Sequence, residues 1–132
     1  SALYGRRIRL ESVPNALEQA RAAASVLCGK PKPNRAVPWF WSDQYDLKLQ
    51  MVGLSQGHDR CVLRGDPATR RFVAFYLQGG AVIAADAVSR PAEFMLAKRM
   101  VAARLAVDAH SLADEAVPLK SLLPQAPAAV AA

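Results

Sequence analysis

Between residues 6 and 28 the apolar positions change their period once. Ile8 and Leu10 alternate with Arg7, Arg9 and Glu11, and this two-residue period predicts a strand over Arg6–Glu11. Past Ser12 the spacing lengthens. Val13, Leu17, Ala20, Ala24 and Leu27 recur at steps of 4, 3, 4 and 3, which predicts one apolar side of a helix running to about Cys28. Ser12 has the side chain of an N-cap, Pro14 suits a first helical turn, and Gly29 is a fitting stop. Glu18 and Arg21 lie off the apolar side. Gly29 to Pro38 then holds three prolines and three basic residues, and reads as a semi-rigid connector and an internal boundary.

After the connector comes Pro38-Trp39-Phe40-Trp41-Ser42-Asp43-Gln44, which contains both tryptophans of the chain. Four strands are predicted beyond it, at about Leu47–Gly53, Arg60–Gly65, Arg71–Leu77 and Ala81–Val88. Gly57-His58-Asp59, Gly65-Asp66-Pro67 and Gly79-Gly80 supply the turns, the last as a two-residue hairpin loop. Connections this short exclude parallel crossovers and predict an antiparallel meander. Ser89 and Pro91 open a second helix reaching about Leu105, with Phe94, Ala97, Val101 and Leu105 toward the sheet. A short turn at His110–Glu115 leads to Val117-Pro118-Leu119-Lys120, and an alanine- and proline-rich tail from Pro124 is expected to be disordered. The fold class is α+β, an antiparallel meander covered by helices.

Composition narrows the function by exclusion. A net charge of +6 and a pI near 9.8 call for an acidic partner. The basic residues are scattered, without the basic–aromatic strand pattern of an RNA-binding sheet, so no nucleic acid is expected. Cys28 and Cys61 form neither a metal set nor a C-x-x-C pair, and are expected to be buried free thiols in a reducing compartment. No apolar run reaches spanning length, and a cytoplasmic protein is expected, with no membrane role. His58 and His110 fall in a turn and near a short helix, with no nucleophile in context, and both are expected in solvent. Carboxylates are few and scattered. Neither G-x-x-x-x-G-K nor G-x-G-x-x-G occurs. A chain with these absences is a binding module or a piece of something larger.

Several strings favour the second. Glu11-Ser12-Val13-Pro14-Asn15-Ala16-Leu17-Glu18-Gln19-Ala20 and Pro38-Trp39-Phe40-Trp41-Ser42-Asp43-Gln44-Tyr45 resemble the C-terminal third of FAD-dependent NAD(P)H:ferredoxin reductases. So do Val52-Gly53-Leu54, Phe75-Tyr76-Leu77, Arg90-Pro91-Ala92-Glu93-Phe94 and Val117-Pro118-Leu119-Lys120. The resemblance implies a flavoprotein that takes electrons from NAD(P)H and passes them to an acidic two-iron (2Fe–2S) ferredoxin serving a P450 or a Rieske oxygenase. It implies that residues 1–35 are the last strand and helix of an FAD-binding domain, that 36–123 are the reductase C-terminal domain, and that 124–132 are a tail. Because the dinucleotide fingerprints are absent, the chain is expected to be a severed piece that neither binds FAD tightly nor oxidises NADH by itself. A stand-alone, non-catalytic module holding an acidic protein is the alternative.

The resemblance also assigns roles. Val13, Pro14 and Asn15, at the positive end of the first helix, belong to the FAD site, mostly through backbone. Trp41 is the aromatic that shields the flavin and lies on the electron path. Trp39 is expected on the opposite side, in packing. Arg21 and Lys120 are the ferredoxin-docking residues, with Lys30, Lys32 and Arg35 weaker candidates, whereas Lys98 and Arg99 are expected on a solvated helix face. The stripe Val13, Leu17, Ala20, Ala24 and Leu27, lacking its sheet, is expected to fray or to dock on a second copy as a domain-swapped homo-oligomer.

Overall fold

The computed structural model describes residue 1 and residues 3–124; of the expected tail, residues 125–132 lie outside the described residues. Helix α1 spans Val13–Leu27, and five strands follow: β1 Trp39–Gln44, β2 Leu47–Gly53, β3 Arg60–Asp66, β4 Arg71–Gln78 and β5 Ala81–Val88. Helix α2 is Pro91–Ala103, α3 is Ala109–Ala113, and a 3₁₀ turn covers Leu119–Leu122. All five strands form one sheet in the order β1-β2-β5-β4-β3, with every pairing antiparallel.

The expected meander is present from β3 to β5, and the aromatic string supplies a further strand, β1, that hairpins onto β2. This hairpin adds beside β5 and not beside β3. Leu54–Asp59 therefore carries the chain across the end of the sheet, held there by Asp59 N–H to Leu77 O (2.9 Å) and Gly79 N–H to Asp59 Oδ2 (2.6 Å). Gly79 and Gly80 close the β4–β5 hairpin, both at positive φ (56° and 80°), as a two-residue loop of primed geometry requires. Gly53 is needed for space: a Cβ there would sit 2.2 Å from the Ile83 carbonyl oxygen of β5.

Alternation sorts the sheet into two faces. Trp39, Val52, Ala85, Phe75 and Val62 stand in one cross-strand row on the helix side. There they join Phe94, Ala97, Met100 and Val101 of α2, then Leu112, Leu119 and Leu123, in a single core. Of the predicted sheet-facing residues of α2, Phe94, Ala97 and Val101 are buried and Leu105 packs partly against that core. The opposite face carries the row Phe40, Met51, Asp86, Ala74 and Leu63.

Two expectations about the N-terminal segment are corrected here. Arg6–Glu11 forms no ladder with any described strand; it runs unpaired along the outer face, lining a cleft with Phe40, Met51, Ala84 and Asp86. Period-2 alternation fixes the exposure of a segment, but a strand also has to lie along a partner edge, and Arg6–Glu11 lies over the outer face of the sheet instead. Secondly, the segment is helical over Val13–Leu27 and not frayed. Ser12 Oγ accepts from Asn15 N–H (3.3 Å) and Gly29 takes φ 68° beyond the helix end. The apolar stripe is nonetheless uncovered: Val13 is 61% exposed, Leu17 54% and Leu27 88%. Pro14 is the residue of α1 that is buried, with Asn15, Glu18, Ala22 and Ser25 half-buried along the same side.

The thiols are also corrected. Cys28 caps the end of α1 and Cys61 points outward from edge strand β3; both are free and exposed. An apolar neighbourhood in sequence does not bury a residue on the uncovered face of an edge strand.

Candidate functional site

Strand β1 begins where the prolines end, and its alternation decides the site. Residues i and i+2 of a strand share a face, so Trp39 and Trp41 stand side by side and stack, with centroids 5.4 Å apart and planes 30° off parallel. The expectation that Trp39 lies opposite Trp41 is thereby corrected; Phe40 takes the other side. Trp39 does pack, half-buried against the core and 6.3 Å from Phe94, whereas Trp41 at 38% exposure forms the outer member of the stack.

Trp39 also forms part of the wall of a cleft of about 620 Å³ between the start of α1 and the outer side of α2, together with Ser12, Pro14, Asn15, Met95 and Lys98. The structure thus brings the helix start and Trp39 to one cleft, with Trp41 stacked on Trp39 beyond its wall. Pro14 is buried in this wall and Val13 projects outward. The Asn15 side chain is engaged locally, donating from Nδ2 to Leu10 O (2.7 Å), and its own N–H is taken by Ser12 Oγ. Ala16 N–H is bonded to Ser12 O, and Pro14 has no N–H. Of the first-turn groups, Val13 N–H has no hydrogen-bond partner among the described residues and stands in the positive field of the helix end.

Lys98 departs from its expected solvated position. Its Nζ stands 4.4 Å from the centroid of Trp39 and 5.7 Å from that of Phe94, so its charge is held over the indole face. Helical spacing carries the signal that could have found it: Lys98 follows buried Phe94 by one turn. Arg99 lines the same cleft.

The two docking candidates are on different elements. Arg21 lies on the exposed side of α1 with Nη1 2.6 Å from Glu18 Oε1, and Glu18 itself lines the cleft. Lys120 is exposed on the 3₁₀ turn beside buried Leu119, and that turn packs on α2. Lys30, Lys32 and Arg35 are exposed along the connector, and His58 and His110 are exposed as expected.

On the outer face, Tyr76 Oη donates to Asp86 Oδ2 at 2.9 Å. Burial raises the Asp86 carboxyl, against the lowering effect of that hydrogen bond. Burial and the nearby carboxylate push Tyr76 up to about 12. Neither group touches the tryptophan pair. No cluster of three or more His, Cys, Asp or Glu able to hold a metal occurs among the described residues, and no described helix is long and apolar enough to cross a membrane.

Residues 39–123 match the family described as reductase C-terminal. The chain belongs to that family. It is 54% identical over 128 residues to the putidaredoxin reductase of Pseudomonas putida, covering 97% of this chain and 30% of that protein. It is 43% identical over 122 residues to the ferredoxin–NAD(+) reductase component of the anthranilate 1,2-dioxygenase system of Burkholderia cepacia, covering 92% and 30%. Its fold superposes with a TM-score of 0.87, at 55% identity, on the crystal structure of the covalent putidaredoxin reductase–putidaredoxin complex, covering 92% of this chain and 29% of that one. The chain therefore spans about 30% of the length of the curated relatives it matches.

The residues present fit one part of an FAD group and not another. An outward apolar side chain at Val13, a free N–H at a helix tip and a half-exposed indole suit the edge and face of an aromatic ring system. No glycine-rich turn that could cradle a pyrophosphate precedes a helix anywhere in the sequence.

Proposed function

We propose that this chain is the flavin-covering and acceptor-docking part of a cytoplasmic FAD-dependent ferredoxin–NAD(P)+ reductase, which passes electrons to an acidic two-iron ferredoxin serving a P450 or a Rieske oxygenase. The observation that carries this reading is the Trp39–Trp41 stack beside the start of α1, its outer indole half-exposed and Lys98 over its inner one. FAD, when bound, supplies the conversion of a two-electron donor into single electrons.

Each residue then has a physical task. Val13 and Pro14, with the backbone of Asn15, bring the positive end of α1 to the electron-rich edge of the ring system and favour added charge there. Trp41 excludes water from the ring face and shortens the gap to the acceptor. Arg21 and Lys120, on α1 and on the 3₁₀ turn, steer an acidic ferredoxin, and Lys98 adds a positive charge on α2. The net charge of +6 gives that encounter its sign. Taken alone, the chain covers a flavin site without holding one, and its uncovered α1 stripe pairs it with a second copy.

The test is Trp41→Ala in the FAD-loaded full-length reductase. Electron transfer to an acidic two-iron ferredoxin falls by roughly tenfold or more, while reduction by NAD(P)H keeps its rate. Equal loss in both half-reactions would contradict the assignment of Trp41 to the acceptor side.

A further inference from the structure

A charged residue buried on the far edge strand binds the backbone that leads to Lys120. Arg64 of β3 is 3% exposed, and each nitrogen of its guanidinium is used. Nη1 donates to the carbonyls of Leu112 (3.2 Å) and Asp114 (2.7 Å), and Nη2 donates to that of Val117 (2.9 Å). Nε faces Glu93 Oε1 of α2 at 3.4 Å. The same Glu93 oxygen takes Arg90 Nη1 at 3.1 Å, and Arg90 Nη2 reaches Glu115 Oε1 at 2.8 Å. Gly65 leaves the room for this second arginine, since a Cβ there would lie 2.9 Å from Arg90 Nη2.

The segment from Leu112 to Val117 contains no strand, and past Ala113 no helix, so its carbonyls lack ladder partners. One guanidinium collects three of them. Beyond Val117 the chain has three residues to Lys120, and buried Leu119 and Leu123 grip the turn from the other side. The turn closes on itself through Ser121 N–H to Pro118 O (2.9 Å) and Leu123 N–H to Lys120 O (3.2 Å). Lys120 is therefore an exposed cation on a stretch of backbone fixed at both ends.

We infer that Arg64 is a positioning residue for ferredoxin docking: its carbonyl clamp fixes the Leu112–Lys120 backbone so that Lys120 meets an acidic protein surface already oriented. The inference rests on the docking role proposed for Lys120. A lysine at position 64 keeps the charge but is a single point donor, without the planar fork that reaches three carbonyls at once. A backbone released from the clamp must be ordered again at each encounter, which weakens binding without touching the chemistry.

The experiment uses the full-length FAD-loaded reductase and an acidic two-iron ferredoxin, with ferricyanide reduction as the reference for intact enzyme in each preparation. Arg64→Lys raises the ferredoxin KM roughly three- to tenfold relative to that reference, with little change in kcat. Pro118→Gly, at an exposed position between clamp and cation, gives a smaller rise of the same kind and carries the test if Arg64→Lys does not fold. Amide exchange quickens over residues 114–121 and stays slow in β4 and β5. In a Lys120→Gln background neither variant raises KM further, because the loop then has no cation to present. A rise that persists in that background would mean a general structural role and would overturn the inference. So would an unchanged KM in both variants while Lys120→Gln alone raises it, and that result would leave the docking role standing. Lys120→Gln with no effect on KM would remove the docking role and this inference together.

Discussion

Helices α1 and α2 are similar in length, 15 and 13 residues, and both begin with a proline in the first turn, yet they settle in opposite ways. In α2 the side carrying Phe94, Ala97, Met100 and Val101 is buried against the sheet. In α1 the regular apolar side faces solvent, and the chain's own domain is met by Pro14 and the smaller or polar residues along its side. Periodicity reports that a helix has an apolar side. It does not report that this side is covered within the same stretch of chain.

The largest expected effect tests the α2 half of this contrast. Phe94→Ala removes a fully buried ring and lowers unfolding stability in urea by about 3–5 kcal/mol. A loss below ~1 kcal/mol would mean that α2 is not the wall of the core. Next, Gly53→Ala places a methyl against the Ile83 carbonyl at a positive φ of 76°, and costs about 1–3 kcal/mol in the same assay. A neutral result there would show that β2 and β5 approach less closely than the structure has them.

A smaller effect comes from the outer face of the sheet. Burial raises the Asp86 carboxyl above its ordinary 3.8, so the folded state holds that proton more tightly than the unfolded chain. Stability from this group falls as pH rises from 3.8 through the raised value, and Asp86→Asn removes that decline. Asp108 has the opposite sign, because the backbone N–H and hydroxyl of Ser111 lower it. Its contribution is present above 3.8 and is lost as pH falls through the lowered value. Urea midpoints of the two Asn variants between pH 3 and pH 6 separate these slopes; parallel profiles would show that neither carboxyl has the environment described.

The smallest change in stability is expected in α1. Leu27→Ala, at an 88% exposed position, shifts stability by no more than about 0.5 kcal/mol. Leu17→Asp leaves the fold intact but abolishes self-association of the isolated chain in sedimentation. A monomeric wild-type chain with α1 protected from amide exchange would break the second half of the contrast.

These results follow how much was legible beforehand. Strands β2 to β5 and both long helices could be read from period and punctuation, because Gly79-Gly80, Ser12, Pro14 and Pro91 each do a local backbone task. The strand order could not, since Leu54–Asp59 crosses the end of the sheet on contacts made by Asp59 with β4 and its hairpin, distant in sequence. Trp39 was misplaced opposite Trp41, although the two-residue period of a strand puts residues i and i+2 on one face. Arg64 left no local trace: a lone arginine between Leu63 and Gly65 reads as surface, and its three carbonyl acceptors lie 48 to 53 residues further on. Lys98 was legible in part: its one-turn spacing from Phe94 puts it beside the buried side of α2, but its indole contact joins two elements that only the fold brings together.

The central claim is that this chain covers a flavin without holding it. FAD titrated into the purified 132-residue chain, followed by tryptophan fluorescence and the flavin visible spectrum, tests it directly. The account predicts no saturable change, since the start of α1 and Trp41 offer an edge and a face but no pyrophosphate cradle. A stoichiometric complex at sub-micromolar FAD would contradict it and would place a complete flavin site within these residues.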